Sequence, residues 1–147
     1  MIHLEEVNEE NWRVSLSLSV SEEQRRFVAG TTVQLAWAYA YRNSNSRARM
    51  IYDGDTPVGM LLYHDGEQEG QCVFSQLLID QRFQRRGFGE QAARLALEEM
   101  RAGGRYSSVI LCYVEGDEPA WRLYEKLGFV PTGEVDEDEI IMVLEQL

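Results

Sequence analysis

Lysine is almost missing from this sequence: Lys126 is the one lysine among 14 basic residues, which face 25 acidic ones. The formal net charge of -11 repels phosphate backbones and anionic lipid alike, so nucleic acid and membrane surfaces are not expected partners. A Gly-Lys-Ser/Thr run is absent, which removes a Walker-type nucleotide loop. Cysteine is scarce too. Cys72 and Cys112 sit in apolar runs with no C-x-x-C spacing and no adjacent histidine. That excludes a disulfide framework and a metal site, and reads as two reduced core thiols of a cytosolic protein. No window reaches the roughly 18 apolar residues of a membrane span. Met1 to Val7 is acidic rather than apolar, so no secretory leader is expected and the expected location is cytoplasmic.

What is present suits one domain spanning residues 1–147. The composition, 44% hydrophobic and 27% charged, is that of an ordinary globular chain. The length leaves no room for a full two-half dinucleotide fold. In the first half, Ile2, Leu4 and Val7 suggest an edge strand. Asn11 is placed to cap a short helix through Trp12, Val14 and Leu16, and Ser21 with Gln24 has capping-box spacing. Thr31 is placed to cap a helix carrying Val33, Leu35, Trp37 and Tyr41. From Ala48 the period changes to two. Met50–Tyr52 and Val58–Tyr63 flank Asp53-Gly54-Asp55 as a hairpin, and Gln71–Asp80 reads as a central strand. A helical stripe runs from Gly89 to Gly103, followed by a strand over Ser108–Val114 and a short helix over Asp117–Leu127. Strands at Val130–Val135 and Ile140–Leu144 close the chain. The order predicts a mixed α/β (α+β) fold with one strand–helix–strand unit among antiparallel hairpins. His3 and His64 read as edge or surface residues; Trp12, Trp37 and Trp121 read as core.

The most informative segment is Gln84-Arg85-Arg86-Gly87-Phe88-Gly89, between a strand and a helix. Two glycines let backbone approach a ligand closely. The free N–H groups and dipole of a new helix favour an anion there. Arg82, Arg85 and Arg86 add positive charge in an otherwise acidic chain. A phosphate or pyrophosphate ligand is one inference; a tight turn with solvated arginines is the other. Gly87, Gly89 and Ala92 also fit G-x-G-x-x-A, with Glu115 ending the next strand. Against a dinucleotide site, a charged loop separates the strand from the glycines, and too little chain follows.

Gln84, Gly87 and Gly89 resemble motif A of the GNAT superfamily of acyl-CoA-dependent N-acetyltransferases. Asp117-Glu118-Pro119-Ala120-Trp121-Arg122-Leu123-Tyr124, continuing to Gly128-Phe129, is similar to that family's later Asn-x-x-Ala-x-x-x-Tyr-x-x-x-Gly-Phe signature. Val20 to Gln24 with Phe27-Val28 is similar, more faintly, to the diamine and polyamine branch. The resemblance implies a mostly antiparallel twisted sheet with flanking helices and one parallel strand pair splayed around acetyl-CoA. It implies cofactor contacts along Leu77, Leu78 and Ile79, and pyrophosphate contacts at Gln84, Arg85, Arg86, Gly87, Phe88, Gly89 and Glu90. Asp117, Ala120 and Tyr124 would line the thiol end, with Tyr124 as general acid and a backbone N–H near Leu77 or Leu78 facing the oxyanion.

A small amine acceptor, such as a polyamine, is implied, with no metal, and homodimers are common in the family. Two departures stand out. Ser75 and Gln76 occupy the strand positions where the polyamine branch often has a carboxylate, leaving Glu115, Asp117 and Glu134 as candidate bases beside Ser75 at the acceptor. Asp117 replaces the usual asparagine. Five acids within Gly133–Glu139 offer a landing place for a cationic acceptor, or simply a solvated turn. A degenerate acyl-CoA-binding module and a protein or peptide N-acetyltransferase are the alternative functions.

Overall fold

The computed structural model describes residues 1–147. Strand β1 (Ile2–Glu6) leads through the one-turn helix α1 (Trp12–Ser15) and a 3-10 turn at Glu22–Gln24 to α2 (Thr31–Ala40). There follow β2 (Arg47–Asp53), β3 (Thr56–Asp65), β4 (Gln71–Ile79), α3 (Phe88–Ala102), β5 (Ser108–Val114), α4 (Glu118–Lys126), β6 (Val130–Asp136) and β7 (Glu139–Leu144). The strands form one seven-stranded sheet in the order β1-β2-β3-β4-β5-β7-β6. Every neighbouring pair is antiparallel except β4 and β5. Strand β4 is the middle strand of the seven, and in its neighbour β3 Val58 to His64 is buried without a break, as expected of an interior strand covered on both faces.

The α3 face of the sheet carries the larger core, including Leu61, Phe74, Leu111 and Met142. Three alanines of α3, Ala92, Ala93 and Ala96, have 0% exposure, so the helix backbone lies close against the strands. Tyr63 Oη donates to Glu99 Oε1 at 2.7 Å, tying α3 to β3. Leu18, Val20, Met50, Met60 and Leu78 pack on the opposite face, beneath the α1–α2 segment.

One irregularity shapes the centre. The β3–β4 register runs Leu62 opposite Gln76 and then Tyr63 opposite Phe74, so Ser75 is an extra residue, a β-bulge. Bulges bend a strand and increase its twist. Strand β4 pairs with β5 only over Gln71–Val73 with Ser108–Ile110. Beyond that the two parallel strands diverge, and the sheet opens into a V.

Several local expectations change. Asn11 does not cap α1 with its side chain; Oδ1 accepts from Asn8 N–H and Nδ2 donates to the Glu6 carbonyl, bracing the preceding loop. Gly30, not Thr31, precedes the first turn of α2, and Thr31 is buried within it. Trp12 is 41% exposed rather than core. Cys112 is exposed while Cys72 is buried. His64 is buried beneath Tyr41, with ring centroids 4.6 Å apart, rather than at the surface. His3 is exposed as expected, though paired with Glu5 at 2.9 Å.

Candidate active site: the open strand pair

The floor of the site is the free edge of β4. Asp80 N–H donates to Val58 O, and the Leu78 carbonyl lies against Gly59, so both residues direct their backbone groups to β3. By strand alternation Leu77 and Ile79 direct theirs into the V. Ile79 O already accepts from Gln84 Nε2 at 2.9 Å, which leaves the Ile79 N–H and the backbone groups of Leu77 facing the opening. The Leu78 side chain packs in the core on the α1–α2 face.

The loop from Asp80 to Gly87 is held by contacts that sequence patterns did not reveal. Asp80 is 1% exposed and accepts from Ser19 N–H, Arg82 N–H and Arg82 Nε. Burial alone would raise its pKa, but these donors, led by the Arg82 side chain, hold the carboxyl below the ordinary aspartate range. Gln84 and Gln24 exchange side-chain hydrogen bonds at 2.9 and 3.0 Å, joining the loop to the 3-10 turn. Arg85 and Gly87 both take left-handed conformations, with φ of 65° and 79°, and Gly87 is the residue before α3. The unbonded amides of Phe88, Gly89 and Glu90 therefore face outward at a helix N-terminus, where an anion is favoured.

The three arginines are not equivalent. Arg82 is spent on Asp80 at 2.8 Å. Arg86 folds back, with Nη2 3.4 Å from Arg82 O and its guanidinium over the Phe83 ring. Arg85 lines the cleft. Glu90 turns its carboxylate away to Lys126 at 2.8 Å and Arg94 at 3.1 Å, so it offers only its backbone.

A cleft of about 410 Å³ runs from this loop between β4 and α4. Of the residues expected to meet a cofactor, Leu77, Ile79, Gln84, Arg85, Gly87, Phe88, Gly89, Asp117, Ala120 and Tyr124 line it, whereas the side chains of Leu78, Arg86 and Glu90 do not. A second cavity of about 270 Å³ continues beyond the β4 bulge. The two share Leu77, Asp117, Ala120 and Tyr124, together with Phe27 and Val28, so they form one channel through the V.

Tyr124 stands where the two parts meet, its ring edge-on to Phe129 at 6.0 Å. Burial, aided by the Asp117 charge, pushes its phenol well above the ordinary tyrosine range, so it keeps its proton at neutral pH. Asp117 caps α4 by accepting from Ala120 N–H at 3.3 Å. Burial raises its pKa against the pull of that hydrogen bond and of Arg26.

Ser75 lines the second cavity, and its Oγ is buried without a partner. Glu115 lies on the outer side of the α4 N-terminus, beside Trp121, and lines neither part of the channel. Glu134 sits on β6, an edge strand exposed along its whole length, and lines neither part either. The acidic hairpin residue that does line the second cavity is Glu139. It was visible in sequence only as one member of an acidic run. Burial first, then Asp138, Asp136 and Glu137, raise its pKa.

The Acetyltransferase (GNAT) family pattern matches residues 4–129. The chain belongs to the GNAT acetyltransferase family. This acetyltransferase is 27% identical over 154 aligned residues to the spermine/spermidine N(1)-acetyltransferase of Bacillus subtilis strain 168, covering 98% of each chain. It is also 34% identical over 103 residues to the mycothiol acetyltransferase of Corynebacterium glutamicum, covering 67% of this chain and 34% of that one. Among solved structures, spermidine N-acetyltransferase from Vibrio cholerae in complex with CoA and spermine superposes with a TM-score of 0.80 at 17% identity, covering 99% of this chain and 95% of that one. An aminoglycoside acetyltransferase in complex with coenzyme A superposes at 0.82 with 15% identity, over 99% and 95% of the two chains. At these identities the structural likeness speaks for the fold: mixed α/β, a mostly antiparallel sheet and one parallel pair. No helix is long and apolar enough to cross a membrane.

Proposed function

We propose that this acetyltransferase moves the acetyl group of acetyl-CoA directly to a primary amine of a small cationic acceptor, with polyamines the leading class. The observation that carries the reading is the single channel through the splayed strands, with a helix N-terminus at one end and, at the other, a largely apolar cavity bordered by Asp117 and Glu139. In this reading the pyrophosphate lies on the amides from Arg85 to Glu90, with Arg85 supplying charge. The pantetheine arm runs as a short added strand along β4, and Leu77 N–H faces the developing oxyanion. Ala120 and Asp117 border the thiol. Tyr124, protonated at neutral pH, gives its proton to the leaving thiolate. The relatives that act on spermine and spermidine support the acceptor class. So does the acidity of the 133–139 hairpin, which attracts multivalent cations.

The test is a CoA-release screen with acetyl-CoA over polyamines, aminoglycosides, amino acids and peptides. Release with spermidine or spermine above the other amines is expected; turnover confined to peptides would move the acceptor to protein. The absence of a carboxylate at Ser75 and Gln76 favours one second reading, an acyl-CoA-binding module without turnover. Tight acetyl-CoA binding with no CoA release across the whole panel would establish that instead.

A further inference from the structure

An amine arriving as an ammonium must lose a proton before it attacks, and β4 supplies no carboxylate to take it. The only acids lining the second cavity are Asp117 and Glu139. Asp117 Oδ1 is engaged by the Ala120 amide, and Arg26 offsets its charge. Glu139 has no such partner. It opens β7, opposite Val114 on one side and Asp136 on the other, at the end of β5 where β4 has already swung away. The strand pairing thus turns the first residue of β7 into the wall of a cavity whose floor is the β4 bulge.

That cavity is built to take a cation with hydrogen-bond donors. No Lys, Arg or His lines it, whereas five aromatic residues do, Phe27, Trp37, Phe74, Tyr113 and Tyr124, and aromatic faces attract ammonium groups. Ser75 Oγ, buried and unpartnered beside it, can accept an N–H. A buried polar atom left unpaired costs free energy until a ligand pairs it.

Resting on the acetyl-transfer reading, we propose that Glu139 is the general base of this enzyme and that, with Ser75, it seats the reacting ammonium of the acceptor. The ammonium gives one proton to the Glu139 carboxylate, and the freed nitrogen attacks the thioester carbonyl carbon. The N–C bond forms and the C–S bond breaks. CoA leaves as thiolate and takes the Tyr124 proton, and the second proton of the acylated nitrogen restores Tyr124. Glu139 returns its proton to water through the open end of the channel. The groups around Glu139 are Asp136 across the β6–β7 pair, Glu137 and Asp138 in the turn and Cys112 on β5, while Asp117 and Tyr124 border the same cavity. All are acidic or neutral, and the raised pKa of Glu139 brings the base nearer to working pH.

The test compares wild type with Glu139→Gln, Glu139→Asp and Ser75→Ala, using acetyl-CoA and spermidine. Glu98→Gln, the same charge change on the exposed face of α3, serves as control. The readouts are kcat/KM against pH, acetyl-CoA affinity, thermal stability, and calorimetric spermidine binding in the presence of CoA. Wild-type kcat/KM is expected to rise with pH through the Glu139 titration. Glu139→Gln should lose about 10²-fold and show only the steeper dependence of the free amine, with unchanged acetyl-CoA affinity and a Tm at or above that of wild type. Glu139→Asp should restore part of the activity and the limb, Ser75→Ala should mainly weaken spermidine binding, and Glu98→Gln should match wild type. A folded Glu139→Gln with wild-type rate and pH profile overturns the assignment alone. A wild type that binds acetyl-CoA but releases no CoA with any amine brings down the acetyl-transfer reading, and this proposal with it.

Discussion

At the scale of single residues, the side chains around the channel divide by protonation. Tyr124 carries its proton at neutral pH, as a donor must, and burial raises its pKa further. Removing its hydroxyl by Tyr124→Phe should lower kcat about 10²-fold while leaving acetyl-CoA affinity unchanged by calorimetry; unaltered turnover would strip Tyr124 of the role. Asp80 shows the other sign. Its folded pKa lies below the ordinary value, so its stabilisation is present above the unfolded pKa and is lost as pH falls through the folded one. Asp80→Asn leaves Ser19 N–H, Arg82 N–H and the Arg82 side chain without their charged acceptor. We expect a loss of about 1–3 kcal/mol near neutral pH, shrinking toward zero in acid, measured by denaturant melts across pH. A cost that persists in strong acid would mean that packing, not charge, is at stake. Only one of the two roles was legible in the sequence. Tyr124 was found only through its spacing from Asp117, Ala120 and Gly128, and Asp80 looked like the end of a strand.

At the scale of elements, α3 carries two unlike ends. Its N-terminus must leave space for a ligand, and its buried stripe must leave none. A Cβ on Gly89 would meet Ile79 Cγ1 at 3.7 Å and Leu123 Cδ2 at 3.9 Å, ordinary contacts that the fold tolerates. Gly89→Trp should therefore abolish acetyl-CoA binding in calorimetry while the free protein still melts cooperatively near the wild-type temperature. About one turn further along the helix, Ala93 gives the opposite result, because it is fully buried against the sheet. Ala93→Leu has to push the helix outward, at a cost of about 1–3 kcal/mol visible as a lower Tm, and an unchanged Tm would show hidden space beneath α3. The stripe was plain in sequence because a 3.6-residue period is local. The bulge at Ser75 was not, because it exists only as a mismatch between two strands that are distant along the chain. The same holds for the rings around His64. Its burial follows from the packing of Trp37 and Tyr41 over β3, which no spacing near residue 64 announces.

At the scale of the whole molecule, the net charge of -11 is unevenly deployed. Cationic side chains gather around the β4–α3 loop, although Arg82 is consumed internally there and only Arg85 lines the cleft. Acidic ones crowd the far hairpin, where Glu139 is their representative inside the channel. Because the channel is walled by β4, α3, α4 and the Val20–Val28 segment, filling it should stabilise the entire domain. Acetyl-CoA at about 100 times its Kd should add about 2.7 kcal/mol, a rise of roughly 5–10 °C for a chain of this size. A thermal scan without any shift at saturating acetyl-CoA would refute the cofactor assignment.

The sequence by itself determined the number and order of most elements, the glycine-rich entry to α3 and the family motifs. These rest on local period, turn chemistry and short spacings, which neighbouring residues can encode. Only the tertiary structure decided which acid meets the channel. Glu115, Glu134 and Glu139 are alike as amino acids, and all lie near the later motif. The pairing of β7 with β5, the bulge on β4 and the divergence of β4 from β5 send the first two outside and the third within. That selection depends on strand register, which is set by contacts between residues far apart in the chain.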